Sequence, residues 1–320
     1  MRILVTGPTG AIGQYVLEGL MQTDHDVRVL SLPDSLHRIN FRDRIEIVMG
    51  ELSDDISLAE AVEGVDIIYH CALVGPPPAM SADHMMHVNA EGTRNLLRHA
   101  AGRVQRVVLC SSNNVYTPHR APAMWPLLDD ALREAHGNPQ QVALGESLIA
   151  AEDAVFEAQA RDGQDYAILR PTVVAGRKCP FVEQMIISIL QQPETIEVQR
   201  RMWDTMQWAH GSDIAAAALL VGEHPEAANQ CFLVAGSEPI TIYDVQAHIW
   251  DIMNVGKSDN PHRDIAERNN LGLCKFEPRK LRALGWAPRV DVKSCITEVL
   301  GRLEFYSSAS IKLPAHMVGD

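Results

Sequence analysis

Along its first half the chain alternates short, nearly uninterrupted apolar runs with longer amphipathic stretches. The runs Arg2–Thr6, Val27–Leu32, Ile45–Met49, Val65–Cys71, Val107–Ser111 and Ala167–Arg170 carry few polar side chains, the pattern of strands covered on both faces. Between them, Ala11–Gln22, Ser57–Glu63, Asp83–Ala101 and Gln141–Arg161 show helical periodicity. This alternation predicts an α/β protein with a parallel, doubly wound sheet and right-handed crossovers. After Pro171 the pattern loosens into a Pro/Gly-bounded turn, helices near 181–191 and 212–222, a strand at Cys231–Val234, and helices near 241–254 and 292–305. The predicted organisation is one domain over 1–170, a smaller C-terminal domain over 171–306 with segments crossing back to the first, and a tail over 307–320.

Composition narrows the partners. A net charge of -13, with no basic cluster beyond the pairs Arg200-Arg201 and Arg279-Lys280, excludes a nucleic-acid partner. No apolar stretch approaches the ~20 residues that span a bilayer, and strand Arg2–Thr6 follows Met1 too closely for a signal peptide. The six cysteines are scattered, and Cys71 and Cys110 lie inside apolar runs, as buried thiols do in a reducing compartment. The expected location is cytoplasmic.

Candidate chemistry begins directly after the first strand, at Gly7-Pro-Thr9-Gly10-Ala11-Ile12-Gly13, which opens a helix. Gly7 allows a tight turn, Gly10 a close approach of backbone to pyrophosphate, and Gly13 the packing of helix on strand. Such a loop between first strand and first helix marks a Rossmann-type dinucleotide site.

The segment TGPTGAIG resembles the TGxTGxxG fingerprint of the extended short-chain dehydrogenase/reductases, the group of NAD-dependent epimerases, dehydratases and dihydroflavonol reductases. Other motifs of that family follow in order. Gly50-Glu51-Leu52 resembles its GDL turn, His70-Cys71-Ala72 its HxAA strand end, and Val88-Asn89 through Leu97 its NVxGTxNLL segment. Ser111-Ser112 through Val115-Tyr116 resembles SSxxVYG, Leu169-Arg170-Pro171-Thr172 LRPT, Trp208 through Ala215 FVHVxDVA, and Leu284-Gly285-Trp286 with Pro288 LGWxP. The resemblance implies an oxidoreductase-type fold with a smaller substrate domain, a small-molecule substrate, and a homodimer paired through Asp83–Ala101 and Gln141–Arg161. It implies cofactor contacts from Gly7, Thr9, Gly10, Ala11, Ile12, Gly13, Ser31, Glu51, Leu52, Cys71, Ala72, Asn89, Pro171 and Val173. A carboxylate closing the second strand would select NAD over NADP, but Ser31 stands there, followed by Leu32 and Pro33, with Asp34, His37 and Arg38 beyond. Either cofactor, NAD or NADP, fits.

The departure is catalytic. The family uses YxxxK on a helix, where a lysine one turn from a tyrosine lowers the phenol pKa. Aligned on Ser147 and Glu152, both positions are leucine, Leu144 and Leu148. None of the six tyrosines has lysine four residues on: those positions hold Gly19, Leu73, Arg120, Arg170, Ala247 and Ser310. Ser112 matches the family's hydroxyl donor, and strand-end capping is its alternative role. Tyr116, with His119 and Arg120 nearby, could replace the acid or merely pack. Glu146 sits about 200° around the helix from Leu144 and faces elsewhere. His84, His87 and Glu91 suit a solvated helix face better than a metal. Met206 occupies the place where sugar-nucleotide epimerases carry an arginine, which argues against a nucleotide-sugar substrate. Two functions stay open: an enzyme with a nonstandard acid/base, and a catalytically silent NAD(P) sensor or scaffold.

Overall fold

The computed structural model describes residues 1–75, 80–116, 126–191, 206–253 and 275–307. Strands β1 (Arg2–Thr6), β2 (Asp26–Ser31), β3 (Glu46–Met49), β4 (Ile67–His70), β5 (Arg106–Cys110), β7 (Asp165–Pro171) and β10 (Gln230–Val234) form one seven-stranded sheet. Its order is β10-β7-β5-β4-β1-β2-β3 and every pairing is parallel. The order reverses between β1 and β4, the switch point at which open α/β sheets bind ligands.

Alternate residues of each strand enter opposite cores. Ile3, Val5, Val29, Tyr69 and Leu169 pack on one face with helices α1 (Gly13–Leu20) and α7 (Gly211–Glu223). Leu4, Ile68, Val107 and Ile168 pack on the other with α2 (Asp55–Val62), α4 (Gly92–Ala100) and α5 (Pro139–Asp162). Helix α5 owes its length to its ends: Asn138 and Gln141 form a capping box, Pro139 opens the first turn, and Gly163 closes the last at φ 69°.

Strand Arg2–Thr6 has its predicted bounds, the other predicted strands differ by one or two residues at their ends, and Asp83–Ala101 divides into α3 (Ala82–Met86), a π turn at His87–Glu91, and α4. The chain from 211 to 235 returns to the main sheet, where β10 pairs with β7. A second sheet, β11-β9-β8, joins β8 (Val173–Ala175), β9 (Met206–His210) and β11 (Pro239–Ile240). It shares a core with α6 (Pro180–Gln191), α8 (Ile242–Ile252) and α10 (Val292–Ser307), through Ile186, Trp208, Ile249 and Ile296. Strands β6 (Leu127–Leu128) and β12 (Phe276–Glu277) pair in parallel, followed by the short helix α9 (Arg279–Ala283). Among the described residues no helix is long and apolar enough to cross a membrane.

Candidate functional site

Because the main strands are parallel, their carboxyl ends meet at one edge. That edge carries the loops after β1, β2, β3, β4 and β7, and with them the expected cofactor residues. The three glycines of the first loop answer to different constraints. Gly7 has φ 65° and its Cβ would lie 2.7 Å from Ala72 Cα, so the turn touches the backbone after β4. A Cβ on Gly13 would lie 2.1 Å from Gly7 O, so α1 can start against the strand end only without one. Gly10 donates its N–H to Gly7 O at 3.1 Å, yet a Cβ there would meet only that same oxygen, at 3.4 Å. The protein fold requires Gly7 and Gly13, whereas Gly10 faces open space above the amino end of α1. Thr9, Ala11 and Ile12, each half-buried, complete the loop.

Around it, Ser31 is buried and donates its hydroxyl to Leu32 O at 3.3 Å. Glu51 accepts from Ser53 Oγ at 2.7 Å, and Leu52 fits against Gly92, where a Cβ would come within 2.9 Å. Cys71 is half-buried with its Sγ donating to Cys110 Sγ at 3.5 Å, and that hydrogen bond together with burial holds its pKa well above the ordinary thiol value. Pro171 is buried at the end of β7, and Val173, half-buried, opens β8. Asn89 lies in the π turn and is fully buried. Its amide donates to Val74 O and Ser147 Oγ, both at 2.9 Å, and accepts from Val74 N at 2.7 Å. With both amide hydrogens engaged by protein, Asn89 braces the loop after β4.

His70, which the sequence offers only as the first residue of a strand-end motif, links three elements here. Its ring lies 2.7 Å from Thr6 Oγ1 of β1 and 2.9 Å from Thr93 Oγ1 of α4, and Thr93 donates onward to Asn89 O. That chain of donors assigns a neutral ring, with Nε2–H donating to Thr93 and Nδ1 accepting from Thr6. Complete burial pushes its pKa down to about 4.

Leu144 and Leu148 are 8% and 3% exposed and pack with Met85, Val115, Leu127, Leu233 and Phe276. Ser112 caps the short turn Asn113–Val115: its Oγ accepts from Asn114 N at 3.2 Å and Asn114 Nδ2 at 2.9 Å. Tyr116 is 1% exposed; it donates to Asp129 O at 2.9 Å and accepts from Arg170 Nη1 at 2.6 Å. Burial raises its pKa, against the opposing pull of Arg170. Arg170 in turn forms a two-pronged pair with the fully buried Glu152 at 2.9 and 2.7 Å. Of the two roles open to Tyr116, replacement acid or packing residue, its enclosure in this network matches packing. The signal that could have found the network was the lone charge closing an apolar run, Arg170 in β7; Glu152, one of several carboxylates of α5, gave none.

His119, Arg120, Arg200, Arg201 and the chain beyond 307 lie outside the described residues. His87 Nδ1 pairs with Glu91 Oε2 at 2.6 Å on an exposed face, and no group of three metal-ligating side chains occurs among the described residues. Met206 is 4% exposed in the core of the smaller sheet.

Residues 3–235 match the model of the NAD dependent epimerase/dehydratase family. A dihydroflavonol 4-reductase of Hordeum vulgare is 25% identical over 317 residues, covering 90% of this chain and 84% of that protein. A 3 beta-hydroxysteroid dehydrogenase/Delta 5-->4-isomerase of Mycobacterium tuberculosis is 28% identical over 257 residues, 76% of this chain and 67% of that protein. Protein y4nG of Sinorhizobium fredii is 28% identical over 218 residues, 68% of this chain, and the match spans about half, 52%, of its length. Among solved structures, a short-chain dehydrogenase/reductase superfamily protein of Agrobacterium tumefaciens with bound NAD superposes with a TM-score of 0.72 at 21% identity, over 96% of this chain and 99% of that one. A dTDP-glucose 4,6-dehydratase of Streptomyces venezuelae does so with a TM-score of 0.75 at 20% identity, over 96% and 98%. The chain belongs to the NAD dependent epimerase/dehydratase family and has the fold of the short-chain dehydrogenase/reductases.

Proposed function

We propose that this chain binds NAD or NADP over the Gly7–Gly13 loop and acts, as an atypical member of its family, on a small organic substrate other than a sugar nucleotide. The observation that carries the reading is the contrast within the loop: Gly7 and Gly13 are forced by backbone contact, and Gly10 alone opens onto free space. Amides of that loop would hold the pyrophosphate, with Ser31, Glu51 and Leu52 bordering the adenosine half. When bound, the dinucleotide supplies a nicotinamide able to give or take a hydride. What the protein does not supply is the usual proton relay. Leu144 and Leu148 offer no acid or base, Ser112 is engaged in capping, and Tyr116 is enclosed. A proton would come from substrate or water.

Buried Met206 supports a substrate without a sugar diphosphate, since an apolar side chain in a core cannot grip a phosphate. The likeness to a dihydroflavonol reductase and a hydroxysteroid dehydrogenase supports a small organic substrate. A second reading, a catalytically silent cofactor sensor or scaffold, is favoured by the packing of the two leucines. Fluorescence titration with NADH and NADPH, followed by turnover assays on small ketones and alcohols, tests both. Saturable binding with turnover supports the enzyme, binding without turnover supports the sensor, and no binding of either dinucleotide refutes the whole reading.

A further inference from the structure

Two thiols face each other at the carboxyl ends of β4 and β5. His70 of β4 is paired with Leu109 of β5, so the next residues, Cys71 and Cys110, stand opposite one another. Both side chains enter the core on the α1 and α7 face, where Cys71 Sγ donates to Cys110 Sγ at 3.5 Å. Neighbouring strands run about 4.8 Å apart, inside the Cα separation of about 4.4–6.8 Å that a disulfide spans. Cys110 is buried, but Cys71 is half-buried at the edge that carries the glycine loop. The peptide after Cys71 also supports that loop. Cys71 N donates to Thr6 O at 3.2 Å and Ala72 N to Thr6 Oγ1 at 3.3 Å. A Cβ on Gly7 would lie 2.8 Å from Cys71 C and 2.7 Å from Ala72 Cα, so the glycine turn rests on this peptide without a gap. A disulfide holds its sulfurs about 2.05 Å apart, about 1.4 Å nearer than here. Strand β4 lies between β5 and β1. Closing the bond therefore draws Cys71 towards β5 and away from Thr6 and Gly7.

We propose that Cys71 and Cys110 form a site of reversible oxidation, whose disulfide displaces the support of the Gly7–Gly13 loop and weakens dinucleotide binding. The effect on binding rests on the reading that this loop holds a dinucleotide; formation of the disulfide does not. The oxidant is a peroxide, small enough to reach half-buried Cys71. Cys71 gives up its proton and its sulfur attacks one peroxide oxygen; the O–O bond breaks, and the hydroxide released takes up the proton. The Cys110 sulfur then attacks the sulfenic sulfur of Cys71, the S–O bond breaks, and the second hydroxide leaves with the Cys110 proton. In sum, two thiols and one hydrogen peroxide become one disulfide and two waters, the sulfurs losing the two electrons that the peroxide oxygens gain. Its hydrogen bond to Cys110 and its burial keep the Cys71 thiol protonated. The pair therefore reacts slowly and records sustained rather than brief oxidation.

The test exposes the full chain, reduced with dithiothreitol and desalted, to hydrogen peroxide. Free thiols are then alkylated and the digested protein is analysed by mass, while NADH and NADPH are titrated into both forms after the peroxide is removed. Oxidised protein should yield a peptide linking Cys71 to Cys110, lighter by two hydrogens than its separate halves, and should bind the dinucleotide at least about tenfold more weakly. Dithiothreitol should reverse both changes. Cys110→Ala should bind as the reduced wild type does, within about twofold, and keep that affinity after the same exposure. Linkage adds a check that needs no variant. In a glutathione redox buffer, saturating NADH should raise the oxidising strength that forms half the disulfide, by the factor by which the disulfide weakens NADH binding. Absence of the Cys71–Cys110 peptide, with sulfinic acid or a bond to another cysteine instead, would overturn the site. A disulfide that leaves affinity unchanged, or an equal loss of affinity in oxidised Cys110→Ala, would overturn its effect on binding and leave the dinucleotide reading intact. Failure of the reduced wild type to bind either dinucleotide would refute that reading, and the linked peptide would still decide whether the pair oxidises.

Discussion

Gly10 and Gly13 stand three residues apart, and substitution separates binding from folding. Gly10→Ala adds a methyl at ordinary contact distance, so its thermal midpoint should stay within a few degrees of the wild type while NAD(P)H affinity falls by about tenfold or more. Gly13→Ala places a Cβ against Gly7 O and should cost about 1–3 kcal/mol of strain by chemical denaturation. Equal destabilisation by both would show that Gly10 is structural too. Tyr116→Phe tests the packing role: it removes two hydrogen bonds while Arg170 Nη1 still donates to Asp129 O, and should cost about 0.5–1.5 kcal/mol for each bond lost, with cofactor affinity unchanged. A Tyr116→Phe protein as stable as the wild type but unable to turn over substrate would restore Tyr116 as an acid. At this scale the glycines were legible in sequence, because backbone demands leave a local spacing. The Tyr116–Arg170 contact was not, since it joins residues 54 apart and no periodicity records such a pair.

Strand β4 shows how an element can bear a condition on stability. His70 sits wholly buried and neutral between β1 and α4, its pKa pushed down to about 4. In the unfolded chain it would titrate near 6.5. The folded value is the lower one, so stability is complete above the unfolded pKa and is lost as pH falls from about 6.5 towards 4, where the unfolded chain takes up a proton first. The loss approaches about 3 kcal/mol at the acid end. Urea midpoints measured across that interval should fall faster for the wild type than for His70→Gln; parallel curves would refute the linkage. The long elements were readable because strands buried on both faces are continuous apolar runs, and α5 because its caps are local. β6, β11 and β12 were not, since two-residue strands carry no period, and β9 mixes Gln207 and His210 with its apolar residues. The π turn at His87–Glu91 left the helical pattern intact, and only the structure reveals it.

Across the whole molecule, the apolar cluster around Leu144 and Leu148 fastens separate parts together. Leu144 and Leu148 come from α5, Leu233 from β10 of the main sheet, Leu127 from β6 and Phe276 from β12. The segment after 275 is therefore held to the main sheet through Leu144 and Leu148. Assembly is a separate matter: a homodimer paired through the region of α3, α4 and α5 is expected, and light scattering that reports a monomer at micromolar concentration would contradict it. Leu144→Tyr and Leu148→Lys together would place a phenol and an ammonium one helical turn apart on α5. An ammonium at position 148, where the side chain is 3% exposed, would be stripped of water among aliphatic neighbours. Without a partner it is driven towards the neutral form and the cluster is forced open, at a cost of several kcal/mol. The double variant should melt well below the wild type and gain no carbonyl reduction. Leu148→Met, close in volume, should cost less than about 1.5 kcal/mol and show that the charge is the cause. General acid/base groups contribute about 10²–10⁴-fold in related chemistry. If the double variant instead matches the wild type in stability and reduces ketones faster by such a factor, the cleft was preformed for proton transfer and only its two groups were missing.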